Sequence, residues 1–314
     1  MIDSHSVPKS IERVCVAILF SIAPWAAAMD VNQLLDTVED GYVDSDGVKI
    51  HYVTVGEGPL VLFIHGFPDL WYTWRHQMAA LADDYQVVAM DMRGYNKSDK
   101  PKGVENYDFT FLVADVAAVV RNFPQKTATI VGHDWGGSVS WKFVMTHPEL
   151  TKNLIIFNRP HPRGRNRELA TNNKHKNASV YIRRFKSTPG DMGFTAEALA
   201  RRHESDPKLH RLYLEGFRRS DFEAMTNYYR QNYPDPPYLV DEGPPDPVDC
   251  PVLMFHGLDD NALGHEALNR MWEWLDHDLT LVTLPGVGHN SHHGPIEFTS
   301  GLMKSWIALQ AARN

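Results

Sequence analysis

The feature that most constrains the fold is a short apolar segment that enters a helix through a glycine-rich turn. Residues 127–131 are small or β-branched, as in a buried strand, and residues 138–145 have a helical pattern. Between them lies Gly132-His133-Asp134-Trp135-Gly136-Gly137. So tight a turn between strand and helix lifts its central side chain, here Asp134, above the end of a sheet. The glycines fit because a Cβ atom would clash at such a bend.

The position of Asp134 has two interpretations. A carboxylate is already ionised at neutral pH and can attack a saturated carbon directly, whereas an alcohol at the same place needs a base. This favours a nucleophile that displaces a leaving group over one that cleaves an ordinary ester. The alternative is that Asp134 caps the helix that follows it.

Strands and helices alternate along most of the chain. Residues 42–55 predict a hairpin around Asp44-Ser45-Asp46-Gly47. Helices are predicted over residues 70–81 and 109–123, and further helical patterns follow the last two strands. A buried strand is predicted at residues 60–64, and further strands are predicted at residues 85–90, 153–157, 251–255 and 279–284. This order predicts an α/β protein with a mostly parallel central sheet and helices on both faces.

Residues 158–249 interrupt the alternation and contain no convincing buried strand. Helices are predicted there over residues 195–203 and 207–218. An insertion between two strands of such a sheet lies over their carboxyl ends, where α/β proteins bind ligands. We therefore predict core segments at 29–157 and 250–314, with 158–249 forming a helical lid. The basic residues of the lid are expected to be solvated: Arg163, Arg165, Arg183, Arg184 and Lys186.

The first 28 residues differ from the rest. Lys9 and Arg13 precede an apolar run over residues 14–23, and Ala26-Ala27-Ala28 follows. This order is similar to a cleavable secretory signal and predicts a periplasmic or secreted protein. If Met29 instead begins the protein, a cytoplasmic location is expected. No segment after residue 28 is apolar enough to predict a stable membrane span.

Composition narrows the range of partners. Hydrophobic residues make up 43% and charged residues 22% of the chain, as in a soluble globular protein. The formal net charge of −8 disfavours nucleic acid and anionic membranes as partners. Removal of a signal would also remove Cys15 and leave Cys250 alone, so no disulfide within the chain is expected.

Partners for a nucleophile at Asp134 follow two later strands. His256-Gly257-Leu258-Asp259-Asp260 comes after residues 251–255, and Pro285-Gly286-Val287-Gly288-His289 comes after residues 279–284. A nucleophile, an acid and a histidine at successive strand ends, in that order, match a hydrolytic triad. This order favours catalysis over helix capping and leaves Asp259 and Asp260 as candidates for the acid.

The motifs together resemble the epoxide hydrolases of the α/β-hydrolase superfamily. The resemblance rests on His65-Gly66-Phe67-Pro68, the turn that contains Asp134, and Gly288-His289, and it extends from about residue 42 to the C-terminus. It implies the α/β-hydrolase fold with an inserted lid, a small apolar epoxide and water as substrates, and no metal or organic cofactor. The Gly-x-x-Asp pattern of the family, matched to Gly257, implies Asp260 as the acid, with Asp259 as the alternative. Asn158 occupies the place where some relatives carry that acid.

The resemblance also implies two lid tyrosines that bind the epoxide oxygen. Asn227-Tyr228-Tyr229-Arg230 is similar to one family segment and implies Tyr229. The segment from Tyr181 to Phe185, followed by Pro189-Gly190, is similar to the other and implies Tyr181. A phenol, with a pKa of about 10, can donate its proton to the oxygen of an opening epoxide. His175 and Tyr228 are the alternatives for these positions.

The implied mechanism has two steps. Asp134 attacks an epoxide carbon, and water activated by His289 and Asp260 then hydrolyses the alkyl ester. The backbone N–H groups of Phe67 and Trp135 are implied as the oxyanion hole, and Pro68 is expected to fix the first loop through a cis peptide. Phe67, Trp71 and Trp135 are expected to line an apolar pocket.

Two other functions are compatible with the motifs. A haloalkane or haloacid dehalogenase would use the same aspartate, and a binding protein on this fold would have lost catalysis. Haloalkane dehalogenases usually carry Asn where this chain has Phe67, and fluoroacetate dehalogenases carry Arg where it has Trp135. These differences favour an epoxide over a halide.

Overall fold

A computed structural model describes residues 29–188 and 192–313. Its strands follow one another from the N-terminal hairpin to the last strand before the C-terminal helix. They are β1 (Glu39–Ser45), β2 (Val48–Val55), β3 (Leu60–Ile64), β4 (Gln86–Met90), β5 (Ala128–His133), β6 (Thr151–Phe157), β7 (Val252–Gly257) and β8 (Leu279–Leu284).

In the described residues, α-helices precede the first strand, connect several of the later strands, follow the last strand and occupy the long segment between β6 and β7. They are α1 (Val31–Thr37), α2 (Arg75–Leu81), α3 (Phe109–Asn122), α4 (Asp134–Thr146), α5 (Pro162–Thr171), α6 (Asn173–Ala178), α7 (Val180–Ser187), α8 (Ala196–Ala200), α9 (Pro207–Arg219), α10 (Phe222–Asn232) and α11 (Ile296–Arg313). Short 3-10 helices cover Trp71–Trp74, Val104–Tyr107, Pro148–Leu150, Arg201–His203, His265–Leu268, Met271–Trp274 and Ser291–His293.

The strands form one sheet in the order β1-β2-β4-β3-β5-β6-β7-β8. The pairs β1–β2 and β2–β4 are antiparallel, and every later pair is parallel. Asp46 and Gly47 both have positive φ in the turn of the β1–β2 hairpin, as a two-residue turn requires. The mostly parallel sheet and the predicted hairpin are therefore confirmed.

The central strands are buried along their whole length, which their continuous apolar sequences predict. Every residue of β3, β5 and β7 is buried. Because helices cover both faces of a parallel sheet, the side chains on both faces of such a strand are mostly apolar. Because β3, β5, β6 and β7 are parallel, their carboxyl ends lie at one edge of the sheet. The loops that leave this edge carry the candidate catalytic residues.

Two predicted helical segments differ from the observed structure. The segment 70–81 begins as the 3-10 helix Trp71–Trp74 and becomes α-helical only at Arg75. The helical pattern predicted after β7 gives two 3-10 helices and no α-helix before β8. Each of these 3-10 helices has only four residues, too short for the repeated hydrogen bonds that stabilise an α-helix.

The described residues between β6 and β7 contain helices and loops but no strand. Two buried tyrosines of this segment contact the core. The Tyr213 hydroxyl in α9 donates to Oδ1 of Asp69 at 2.7 Å, and the Tyr228 hydroxyl in α10 donates to the carbonyl of Arg93 at 2.8 Å. These bonds hold the inserted helices to loops that follow β3 and β4.

The predicted secretory signal at residues 1–28 lies outside the described residues. Within residues 29–188 and 192–313, a helix with the length and hydrophobicity needed to cross a bilayer is not found.

Candidate active site

Asp134 lies in a strained turn between β5 and α4. Its φ of 51° is in the left-handed region, which a residue other than glycine seldom adopts. Close packing holds the turn in this conformation: a Cβ atom on Gly136 would overlap the carbonyl oxygens of Ile64 and His65, and one on Gly66 would overlap the Asp134 side chain. The absence of side chains at these two glycines lets the end of β3 approach Asp134.

The two oxygens of the Asp134 carboxylate have different neighbours. The backbone N–H of Phe67 donates to Oδ1 at 2.9 Å. Oδ2 lies 3.5 Å from Nε2 of His289. Trp135, the other residue predicted for the oxyanion hole, is in the first turn of α4, where backbone N–H groups lack helical acceptors. The Phe67–Pro68 peptide is cis.

His289 is oriented by Asp260. Its Nδ1 lies 2.8 Å from Oδ2 of Asp260, whereas Asp259 is exposed. The other oxygen of Asp260 accepts from the backbone N–H groups of Ala262 and Leu263 at 2.8 and 2.9 Å. Asp134, His289 and Asp260 thus lie together in the order that the sequence predicts.

Asn158 is a further residue that fixes this acid. Its amide Nδ2 donates to Oδ2 of Asp260 at 2.7 Å, and its φ is 54°. The sequence identifies Asn158 as the position of the acid in some relatives but does not predict its bond to Asp260. An amide there keeps the hydrogen bond and adds no second charge.

The charges of Asp134, Asp260 and His289 shift one another's pKa values. Burial alone would raise the pKa of Asp134, but the hydrogen bond and positive charge of His289 outweigh burial and place that pKa well below its usual value. Burial alone would lower the pKa of His289, but hydrogen bonds to Asp134 and Asp260 raise it to about 10. The resting site therefore holds an ionised Asp134 beside a protonated His289.

Tyr229 packs within a group of aromatic rings above Asp134. Its ring centre lies 4.9 Å from that of Trp135 and 5.4 Å from that of Phe67, both in edge-to-face geometry. Tyr181 lies next to it, with ring centres 6.5 Å apart. Although Tyr181 is 44% exposed, desolvation of its hydroxyl beside the cavity, followed by the nearby Asp134 carboxylate, raises the pKa of that hydroxyl. The pKa of Tyr229 is raised by burial, then by Tyr181 and Asp134. Both phenols are therefore protonated at neutral pH.

A cavity beside Asp134 brings several of the predicted residues together. Trp135, Tyr181 and Tyr229 line it with Asp134, and His175 also faces it. Phe67, which was also predicted to line the pocket, does not line this cavity, and neither do Trp71 and Tyr228. Trp71 is buried against Tyr72, and Tyr228 directs its hydroxyl to the Arg93 carbonyl.

Two arginines line the same cavity, and the sequence did not indicate either as part of the site. Arg159 is the second residue after β6, and Arg165 lies in α5. Arg165, which the sequence predicts to be solvated, is half-buried, and its guanidinium carbon lies over the ring of Tyr233. Burial and the charge of Arg165 lower the pKa of Arg159 to about 10, so it remains a cation at neutral pH. The position of Arg159 at a strand's carboxyl end is the signal that could have identified it.

A group with metal-ligating residue types lies behind the site. Donor atoms of Asp69, His292 and His293 fall within 4.8 Å of one another. The Thr73 hydroxyl lies 2.7 Å from His292 Nε2 and 2.9 Å from His293 Nε2, and Tyr213 donates to Asp69. These bonds give the donor atoms partners within the protein.

Comparison with known proteins agrees with the fold. The family model of the alpha/beta hydrolase fold matches residues 59–294, well over half of the chain. The AB hydrolase superfamily protein YfhM of Bacillus subtilis (strain 168) is 41% identical over 131 residues, which are 41% of this chain and 46% of that protein. Epoxide hydrolase 1 of Caenorhabditis elegans is 44% identical over 131 residues, 41% of this chain and 32% of that protein.

These alignments span less than half the length of the curated relatives, but a solved structure matches over its whole length. The crystal structure of a Bacillus megaterium epoxide hydrolase in complex with an inhibitor gives a TM-score of 0.76 at 28% identity. The superposition covers 85% of this chain and 100% of the other. The family match shows that the chain belongs to the α/β-hydrolase fold family, and the triad geometry agrees with this.

Proposed function

We propose that this protein hydrolyses an epoxide to a vicinal diol through an ester on Asp134. The observation that carries the proposal is a single cavity that Asp134, Tyr181 and Tyr229 line together. An anionic nucleophile and neutral phenols are the groups that opening of an epoxide needs, since the leaving oxygen stays on the substrate and must be protonated. The similarity to proteins named epoxide hydrolases supports the same reaction.

In the first step, Oδ2 of Asp134 forms a bond to one epoxide carbon while the bond from that carbon to the epoxide oxygen breaks. Oδ1 is held by the Phe67 N–H, so Oδ2 is the oxygen that faces the cavity and His289. The alkoxide takes a proton from Tyr181 or Tyr229, and the second phenol stabilises it by a hydrogen bond. The product is a hydroxyalkyl ester of Asp134.

In the second step, His289 removes a proton from water, which attacks Cγ of Asp134. Ester formation removes the carboxylate charge that raises the pKa of His289, so the imidazole loses its proton, which restores the tyrosinate of the first step to a phenol, and the neutral imidazole can then act as a base. The oxyanion forms on Oδ1, where the Phe67 N–H already donates. The Cγ–Oδ2 bond then breaks and Oδ2 takes the remaining proton of the attacking water, so the diol leaves with Oδ2 and Asp134 returns as a carboxylate that keeps the oxygen of water.

Separation of the steps provides a test. His289→Gln is expected to form the ester but not hydrolyse it, so styrene oxide should add its mass to the peptide that contains Asp134. Asp134→Asn should give neither labelled peptide nor diol, which makes it the matched control. Labelling of His289→Gln at another residue would contradict the proposal.

A single turnover in water enriched in oxygen-18 tests which bond breaks. With enzyme in excess, the first diol should be unlabelled and Asp134 should carry the heavy oxygen. Label in the first diol would mean that water attacks the epoxide directly. Release of halide from bromoalkanes without diol from any epoxide would indicate a dehalogenase instead.

A further inference from the structure

The proposed mechanism leaves two cations of the cavity unused. Arg165 lies over the ring of Tyr233, with its guanidinium carbon 4.3 Å from the ring centre, and Arg159 lies 5.7 Å from the centre of the Trp135 ring. Among the described residues, neither guanidinium has a carboxylate or carbonyl partner. Arg163, two residues before Arg165 in α5, differs, because its guanidinium donates to the carbonyls of Asp241, Gly243 and Pro244.

The charges around the cavity leave an excess of one positive charge. Protonated His289 balances ionised Asp260, and Asp134 balances one of the two arginines. The second arginine then faces the cavity uncompensated. A cation that is partly removed from water and has no counter-ion costs free energy unless a ligand supplies the charge. The charge balance thus indicates an anionic ligand.

Tyr233 adds an unused hydrogen-bond donor at the same place. Its side chain is 6% exposed, and its buried hydroxyl has no hydrogen-bond partner within the part of the chain that the structure describes. Arg159, Arg165 and Tyr233 line both the cavity beside Asp134 and a larger outer groove of about 930 Å³. The three donors therefore stand where the cavity opens towards the groove.

We propose, on the basis of the epoxide hydrolysis proposed above, that the substrate carries a carboxylate that Arg159, Arg165 and Tyr233 bind. The planar fork of an arginine matches the two oxygens of a carboxylate, and a phenol can donate to either oxygen. The guanidinium carbon of Arg159 lies 5.7 Å from the centre of the ring of Trp135, the neighbour of Asp134, so a carboxylate bound there would lie close to the reacting carbon. The inferred substrate class is therefore an epoxide that carries a carboxylate, with larger substituents directed into the outer groove.

A matched pair of substrates tests the charge. The meta and para isomers of oxiranylbenzoate and oxiranylbenzamide have nearly the same size but differ in charge. For the wild type, kcat/KM for at least one acid should exceed that of its amide by about tenfold or more, as charge-assisted hydrogen bonds give. Arg159→Met and Arg165→Met should each reduce this ratio towards one. Arg163→Met, whose guanidinium is bonded to the backbone, should retain the wild-type ratio.

Binding without turnover gives a second measurement that does not depend on the variants. Benzoate should inhibit the wild type competitively at lower concentration than benzamide. Diol from the amides with acid-to-amide ratios at or below one for both isomers would overturn the carboxylate site and leave epoxide hydrolysis intact. Diol from neither acids, amides nor styrene oxide would overturn the proposed function and, with it, this inference.

Discussion

At the scale of single residues, the unequal surroundings of the two Asp134 oxygens determine what the carboxylate can do. Oδ1 is occupied by the Phe67 N–H, and Oδ2 faces His289. A helix cap would instead direct its side chain to the N–H groups of its own helix, and His133, not Asp134, is the N-cap residue of α4. The capping interpretation of Asp134 is therefore wrong.

The two lid tyrosines should contribute unequally to catalysis. Tyr229 is 4% exposed and fixed by the rings of Trp135 and Phe67, whereas Tyr181 is 44% exposed. A fixed donor loses less freedom when it binds the developing alkoxide, so Tyr229→Phe should slow ester formation more than Tyr181→Phe. We expect losses of about 10²-fold to 10³-fold for Tyr229→Phe, as for removal of one oxyanion donor, and about tenfold for Tyr181→Phe.

Rapid-quench measurement of ester formation on Asp134 in a single turnover distinguishes the two variants. The exposed Tyr42→Phe, on the hairpin strand β1, serves as the control for loss of a phenol hydroxyl. Equal and small effects at Tyr181 and Tyr229 would contradict the role given to both.

At the scale of an element, the turn from β5 to α4 depends on close approach of β3. Gly136 lies against the carbonyl oxygens of Ile64 and His65, which are backbone atoms and cannot rotate away. The strained φ of Asp134 persists because this packing leaves the turn no alternative conformation. The local sequence thus supplies the glycines of the turn, and packing against the end of β3 keeps Asp134 in its strained backbone conformation.

Gly136→Ala should therefore both destabilise the protein and reduce its activity. We expect a loss of about 1–3 kcal/mol in the free energy of unfolding, as for overpacking in a core. Gly243→Ala is the matched control, since no heavy atom lies within 4 Å of a Cβ atom built there, and its effect should be within about 0.5 kcal/mol. Urea unfolding measures both variants, and equal stabilities would show that the turn tolerates a side chain.

At the scale of the whole molecule, the sheet brings together charges from three distant parts of the chain. Asp134 follows β5, Asp260 follows β7 and His289 follows β8, and their interactions exist only in the folded state. The pKa of His289 is raised from 6.5 to about 10 by this assembly. Protonation of His289 is therefore coupled to global stability.

This coupling predicts how stability depends on pH. A group whose pKa is higher in the folded state contributes fully below its unfolded pKa of 6.5, and the contribution is lost as pH rises through about 10. The difference in unfolding free energy between the wild type and His289→Gln should thus be largest near pH 6 and shrink towards pH 10. His277→Gln removes an exposed histidine paired with Asp249 and should change stability by less than about 1 kcal/mol at each pH. A difference that grows between pH 6 and pH 10 would contradict the predicted sign.

Much of the fold and part of the site follow from local patterns. The continuous apolar runs of β3 and β5 and the hairpin at Asp46-Gly47 were predictable because burial on two faces and positive φ each demand particular residues. The four-residue 3-10 helices between β7 and β8 were not predictable, because their short sequences also fit an α-helical pattern. Tertiary packing, not propensity, decides such short segments.

The sequence by itself determined the order of strands and helices, the sharp turn at Asp134, and an acid and a histidine that follow later strands in the order of a triad. These depend on the periodicity of burial and on the backbone conformations that glycine allows. Only the tertiary structure decided that Asp260 rather than Asp259 faces His289, that Asn158 holds this acid, and that Arg159 and Arg165 enter the cavity. Those outcomes depend on side-chain directions and on distances between segments far apart in the chain, and no local pattern specifies them.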